Sequence, residues 1–166
     1  MYIRKARPTD NFDARAVVRK SLASFGLVAD FETLDAAIGV IGQPGSPNDI
    51  ELVAEIAGKV AGCLVIQRRG AACAKLFGFH VDASMQGRGV GRALLSEAIA
   101  EAARRDFSEL QLETCGGMDA AIHLYESFGW KRGADPLPGS GGDRFYSLAL
   151  MDRAPAEIRE RALAKC

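Results

Sequence analysis

The sequence predicts an α/β domain of mixed type: a central twisted sheet of strands in mixed orientation, with helices on both faces. Three observations carry this. Strand-type and helix-type stretches are interspersed rather than strictly alternating along the 166 residues. Residues 50–68 read as a hairpin. Residues 73–95, CAKLFGFHVDASMQGRGVGRALL, read as a strand, a glycine-rich turn and the first turns of a helix.

Tyr2 to Arg7 is a short alternating strand stopped by Pro8, and Thr9 or Asp10 offers a helix cap. Phe12, Ala16, Val17 and Leu22 fit one face of a first helix, which Gly26 breaks. A second helix is expected over Phe31 to Val40, with Leu34, Ala37, Ile38 and Ile41 as its buried stripe. Gly42 to Asn48 is a turn-rich loop with two prolines. Ile50–Ile56 and Val60–Arg68 are strands joined through Ala57-Gly58-Lys59.

After the strand at 73–81, Val90, Leu94, Leu95, Ala98, Ile99 and Ala102 mark the clearest amphipathic helix. Leu110–Thr114 is a strand. Asp119 caps a helix from Ala120 to Phe128 that stops at Gly129. Trp130–Gly133 begins another strand, Pro136–Gly142 is a loop, and Arg144–Met151 is the final strand. Residues 1–152 therefore read as one domain, and 153–166 as a tail with thin helical periodicity in which Ile158 and Leu163 are the apolar positions.

Lysine plus arginine balances aspartate plus glutamate at 21 each, which gives no global field for nucleic acid or an anionic membrane. No apolar run has the length of a membrane span, and the first residues lack the apolar core of a signal peptide. Cys63, Cys73, Cys115 and Cys166 show no metal-ligand spacing and read as free thiols. A cytoplasmic chain without a resident metal is the expectation.

The glycine turn, Gln86-Gly87-Arg88-Gly89-Val90-Gly91, leaves backbone N–H groups unpaired at the positive end of a helix. Such a turn suits an anion, most often a phosphate. A Walker A loop is excluded because no Lys-Ser or Lys-Thr follows. A dinucleotide fingerprint fits poorly, since Arg92 stands where its third glycine belongs.

The remaining pattern is Gln-x-x-Gly-x-Gly, met by Gln86, Gly89 and Gly91. A second segment follows in order, Ala121-Ile122-His123-Leu124-Tyr125-Glu126-Ser127-Phe128-Gly129-Trp130. Together they resemble the GCN5-related N-acetyltransferases over roughly residues 73–132. The resemblance implies the acyl-CoA N-acyltransferase fold, a largely antiparallel twisted sheet of about seven strands flanked by helices. It implies acetyl-CoA as co-substrate and no metal, with a small-molecule or peptide amine as acceptor. A homodimer is an expectation at family level only.

The resemblance also assigns roles. Backbone N–H groups from Gln86 through Gly87, Arg88, Gly89, Val90 and Gly91 to Arg92 would hold the pyrophosphate. Arg88 and Arg92 either add charge there or are solvated helix-end arginines. Phe79 and Val81 would pair with pantetheine, with the Phe79 N–H as oxyanion donor, and Gly78 would mark a bulge that opens a slot for the thioester. Tyr125 stands at the position of the general acid. The acidic residue common early in the strand before the turn is replaced by Lys75, and an asparagine common before the second segment by Met118. Glu113 and then His80, whose ordinary pKa suits proton transfer near neutrality, are the candidate bases; His123 reads as surface. Phe25, Asp30 and Phe31, with Glu113, are the expected acceptor wall. A module that binds acyl-CoA without efficient catalysis is the rival reading, motivated by Lys75 and Met118.

Overall fold

The computed structural model describes residues 1–137 and 141–150. The tail expected to carry helical periodicity, and the end of the final strand at Met151, lie outside the described residues.

Seven strands form one sheet: β1 (Tyr2–Lys5), β2 (Ile50–Ile56), β3 (Lys59–Arg68), β4 (Cys73–Val81), β5 (Glu109–Thr114), β6 (Lys131–Arg132) and β7 (Arg144–Ala149). Their order across the sheet is β1-β2-β3-β4-β5-β7-β6. Only β4 and β5 are parallel; every other neighbouring pair is antiparallel. The helices are α1 (Asn11–Ala23), α2 (Ala36–Gly39), α3 (Val90–Arg104) and α4 (Asp119–Ser127).

The two-residue alternation of the strands splits the core into two layers. Ile50, Leu52, Leu64, Ile66, Ala74, Leu76, Leu110 and Leu112 face α3 and α4, where Leu94, Leu95, Ile99 and Phe128 complete the larger layer. Val53, Cys63 and Val65 face the other way and meet Ala14, Val18, Leu22, Ile38 and Ile41 from the α1–α2 side. Each fully buried aliphatic side chain here is worth about 1.5–3 kcal/mol, so α1 and α3 are held by packing on the sheet. At the sheet edge Arg4 binds Asp10 at 2.7 and 2.9 Å and Glu55 at 2.7 Å, tying β1 to the turn before α1.

The expected second helix is corrected to a single turn, Ala36–Gly39. Asp30 is the cause: its Oδ1 accepts the N–H groups of Glu32 and Thr33, and its own N–H donates to Asp35 Oδ2 at 2.8 Å. These local bonds compete with helical ones and hold residues 30–35 as turns. Ile38 and Ile41 are buried as expected, but Leu34 is 61% exposed. Phe12 is also exposed, because the inner face of α1 runs through Ala14, Val17, Val18, Ser21 and Leu22. β1 ends two residues before the expected Arg7, whose N–H is taken by Asp10 Oδ2 at 2.7 Å.

Candidate active site

The sheet opens between its two parallel strands. β4 runs to Val81 and β5 to Thr114, yet they pair only from Cys73–Glu109 to Leu76–Leu112. Past that point the edge of β4 facing β5 has no strand partner. The cause lies at Gly78, whose φ of +56° is reached cheaply only by glycine. A Cβ there would stand 2.6 Å from Ile38 Cδ1 and closer still to Cγ1. On the opposite edge the β3–β4 register slips between Cys63↔His80 and Val65↔Phe77, a bulge on β4. Gly78 and the splay thus coincide.

A cavity of about 250 Å³ fills the gap. Phe77, Gly78, Phe79 and His80 line it from β4, Glu113 and Thr114 from β5, and Tyr125 from α4. Lys75, Leu76, Leu22, Leu27, Val28, Leu34, Asp35, Cys115, Met118 and Gly141 complete the wall.

Tyr125 is buried, with its ring against Phe79, Trp130 and Tyr146 at centroid distances of 5.9, 5.8 and 6.3 Å. Its hydroxyl makes no hydrogen bond among the described residues. Burial disfavours the phenolate and raises its pKa above the ordinary value of 10. The phenol therefore stays protonated.

Lys75 does not stand alone in the place where an acid is common. Its Nζ lies 2.7 Å from Glu113 Oε1, with both side chains largely buried. The other carboxylate oxygen of Glu113 is buried without a hydrogen-bond partner among the described residues. An acid and a base thus flank the slot, the acid on β5 rather than β4.

His80 places Nδ1 2.9 Å from Ser21 Oγ of α1. Desolvation lowers its pKa from 6.5 to about 4, so the ring is neutral at pH 7 and does not titrate near neutrality as its ordinary pKa suggests. His123 is exposed on α4, with Nδ1 2.8 Å from the Asp119 carbonyl.

The glycine turn opens beside the other end of the slot. Gly87 and Gly89 have φ of +73° and +77°, and a Cβ on either would meet nothing within 4 Å. The first bond of α3 runs from the Ala93 N–H to the Gly89 carbonyl at 3.0 Å. The N–H groups of Gly87 through Arg92 consequently have no acceptor among the described residues. Six donors at a helix N-terminus, open to solvent in front, suit a pyrophosphate. Gln86 bonds back to Ala83 at a long 3.4 Å and stands at the edge of this cradle. Arg88 is exposed; Arg92 leans back on α4, 3.3 Å from Ser127 Oγ and over the Phe128 ring. Phe79 and Val81 pack on the α3 side of the sheet, between cradle and slot.

The expected acceptor wall is placed differently. Phe25 is exposed beyond α1, Asp30 organises the turn, and Phe31 lies under Arg15 and Arg19 at 4.5 and 5.0 Å. None of the three lines the cavity; Leu27, Val28, Leu34 and Asp35 of the same loop do. Leu27 and Val28 carry no chemical signal in the sequence, Leu34 reads there as part of a buried helical stripe, and nothing sets Asp35 apart from the other acids of the loop. Among the described residues no cluster of three or more His, Cys, Asp or Glu is placed to hold a metal ion, and no helix is long and apolar enough to cross a membrane.

Comparison with known proteins places these features in context. The model of the Acetyltransferase (GNAT) family matches residues 20–130. An uncharacterised N-acetyltransferase of Schizosaccharomyces pombe is 28% identical over 127 residues, 75% of this chain and 78% of that protein. The ribosomal protein bS18-alanine N-acetyltransferase of Escherichia coli is 46% identical over 57 residues, covering 34% of this chain and 38% of that one. The crystal structure of the E. coli enzyme superimposes with a TM-score of 0.72 at 25% identity, over 92% of this chain and 96% of that chain. A GNAT-family acetyltransferase of Brucella melitensis, solved in complex with acetyl-CoA, gives a TM-score of 0.67 at 23% identity over 93% and 90% of the two chains.

Proposed function

The chain belongs to the GNAT acetyltransferase family, and from that premise we propose that it moves the acetyl group of acetyl-CoA onto a primary amine of a small molecule or peptide by direct attack in a ternary complex. One observation carries the reading. The unpaired donors of Gly87–Arg92 and the slot between β4 and β5 lie on successive parts of one strand–turn–helix unit. A pyrophosphate on the turn would send its thioester arm along the free edge of β4 towards Tyr125.

In this reading the cradle supplies binding and the slot supplies chemistry. The free edge of β4, at the Phe79 N–H, polarises the thioester carbonyl and stabilises the oxyanion that forms when the amine attacks. Glu113 takes the proton that the amine must lose, its unpartnered oxygen being free to accept it. Lys75 holds the other oxygen and so orients the carboxylate. Tyr125 gives its phenolic proton to the sulfur as the thiolate leaves, and burial keeps that proton in place beforehand. His80, neutral and bonded to Ser21, shapes the wall. The rival reading of a binding module gains no support from the three relatives above, all of which are acetyltransferases by name.

The test is direct. Incubation with acetyl-CoA and a panel of amines, amino acids and peptides should release free CoA thiol and give a product heavier by one acetyl group. Acetyl-CoA binding without product on any member of the panel would overturn transfer and leave the binding module.

A further inference from the structure

We propose that the acceptor is a primary amine carried on an apolar body with no second positive charge. This rests on the transfer reaction above and concerns only the part of the slot away from the glycine cradle.

The mouth of that part is aliphatic. Leu22, at the end of α1, and Leu27, Val28 and Leu34, from the loop that follows, line it together with Phe77. Val28 is 90% exposed, Leu34 61% and Leu27 42%. Three large aliphatic side chains held in water by one loop, all turned to one cavity, gain from any apolar group that covers them. None is needed for the core, which closes beneath them on Ile38 and Ile41.

The charges of the lining set the other half of the specificity. Lys75 and Glu113 neutralise one another at 2.7 Å. The His80 imidazole and the Cys115 thiol are held neutral by burial. Asp35 remains: its Oδ2 accepts only the Asp30 N–H, and no basic side chain pairs with it among the described residues. One uncompensated carboxylate draws in one ammonium, which then gives its proton to Glu113 before the nitrogen attacks. A second ammonium on the same body would have to lie deeper, against Leu22 and Phe77, where the lining offers no further unpaired carboxylate.

The full chain with saturating acetyl-CoA is assayed for thiol release on four acceptors: 2-phenylethylamine, a tripeptide beginning with leucine, spermidine and an aminoglycoside. At least one of the first two should exceed both polycations in kcat/KM by about ten-fold or more, and which of them leads tells a small amine from a peptide terminus. V28N and L34N, neutral polar changes at exposed positions, should each lower that kcat/KM about ten-fold through KM while acetyl-CoA binding is retained. Polycations used as well as the apolar amines, or variants that keep the wild-type KM, would overturn this inference and leave the transfer reaction standing. No thiol release on any acceptor, in a chain that binds acetyl-CoA, would overturn both.

Discussion

The ammonium of Lys75 meets the carboxylate of Glu113 at 2.7 Å across the widening gap between β4 and β5. Lys75 stands opposite Gln111 in the parallel register, so Glu113 is the next residue of β5 on the same face. Both side chains are less than one-fifth exposed, and neither charge can turn to water at no cost. K75E or E113K alone would set like charges side by side and should cost roughly 1–3 kcal/mol of stability. The double exchange should recover most of that loss in thermal unfolding. Losses that simply add would show that the two groups do not interact. E113Q, which keeps the shape, should lower kcat about a hundred-fold if the carboxylate takes the amine proton.

Tyr125→Phe removes a hydroxyl that has no partner among the described residues and leaves the ring contacts with Phe79, Trp130 and Tyr146 in place. Stability should hardly change, while kcat falls by about two orders of magnitude. The sign of the pH effect follows from burial. Because the pKa of Tyr125 is raised, its proton is retained as pH rises. An alkaline fall in kcat from this group should not begin below about pH 10. Unchanged turnover in the phenylalanine variant would remove Tyr125 from the mechanism.

His80 carries a stability consequence rather than a kinetic one. Its folded pKa, about 4, lies below the 6.5 of the free side chain. Between those values the unfolded chain binds the proton more readily, so stability falls with falling pH. The contribution is whole above pH 6.5 and is lost as pH drops towards 4, on the order of 2–3 kcal/mol. Urea unfolding at neutral and at acid pH should show this loss in the native chain and a smaller one in His80→Gln. Equal losses in both would assign the acid sensitivity elsewhere. The near-neutral limb of the pH–rate profile should not move with this substitution.

The strand–turn–helix unit was legible because its signals are local. Glycines at 87, 89 and 91 precede an apolar face at Val90, Leu94, Leu95 and Ala98, and nothing distant alters either. Gly78 as the place where the strands part is what the family resemblance implies rather than a local signal, and the pairing of β4 with β5 ends just before it, at Leu76. The Lys75–Glu113 pair was not legible, since it depends on the register of two strands joined through α3. The helical spacing of Leu34, Ala37, Ile38 and Ile41 misled because it says nothing of Asp30, whose side chain captures the N–H groups such a helix would need. The acceptor wall was sought among aromatic and acidic residue types. Phe31 instead turns onto Arg15 and Arg19, leaving its aliphatic neighbours at the mouth.

Gly78 and Ile38 give the sharpest test of what holds the slot open. Two separate costs attend Gly78→Ala. The backbone at φ +56° disfavours any Cβ by about 1 kcal/mol, and that Cβ would press on Ile38, which is fully buried and cannot swing away. Overpacking of this kind adds roughly 1–3 kcal/mol, so the single variant should lose roughly 2–4 kcal/mol in denaturant unfolding. Ile38→Ala is itself costly, by about 2–5 kcal/mol, but it removes the obstacle. In that background the further cost of Gly78→Ala should shrink to the backbone part, about 1 kcal/mol. The same loss in both backgrounds would mean that Ile38 does not press on β4. Where the single variant still folds, β4 can relieve the clash only by moving away from α2, which shifts the free edge at Phe79. The KM for acetyl-CoA should then rise with kcat falling alongside it, a joint change that loss of the Tyr125 proton alone would not produce.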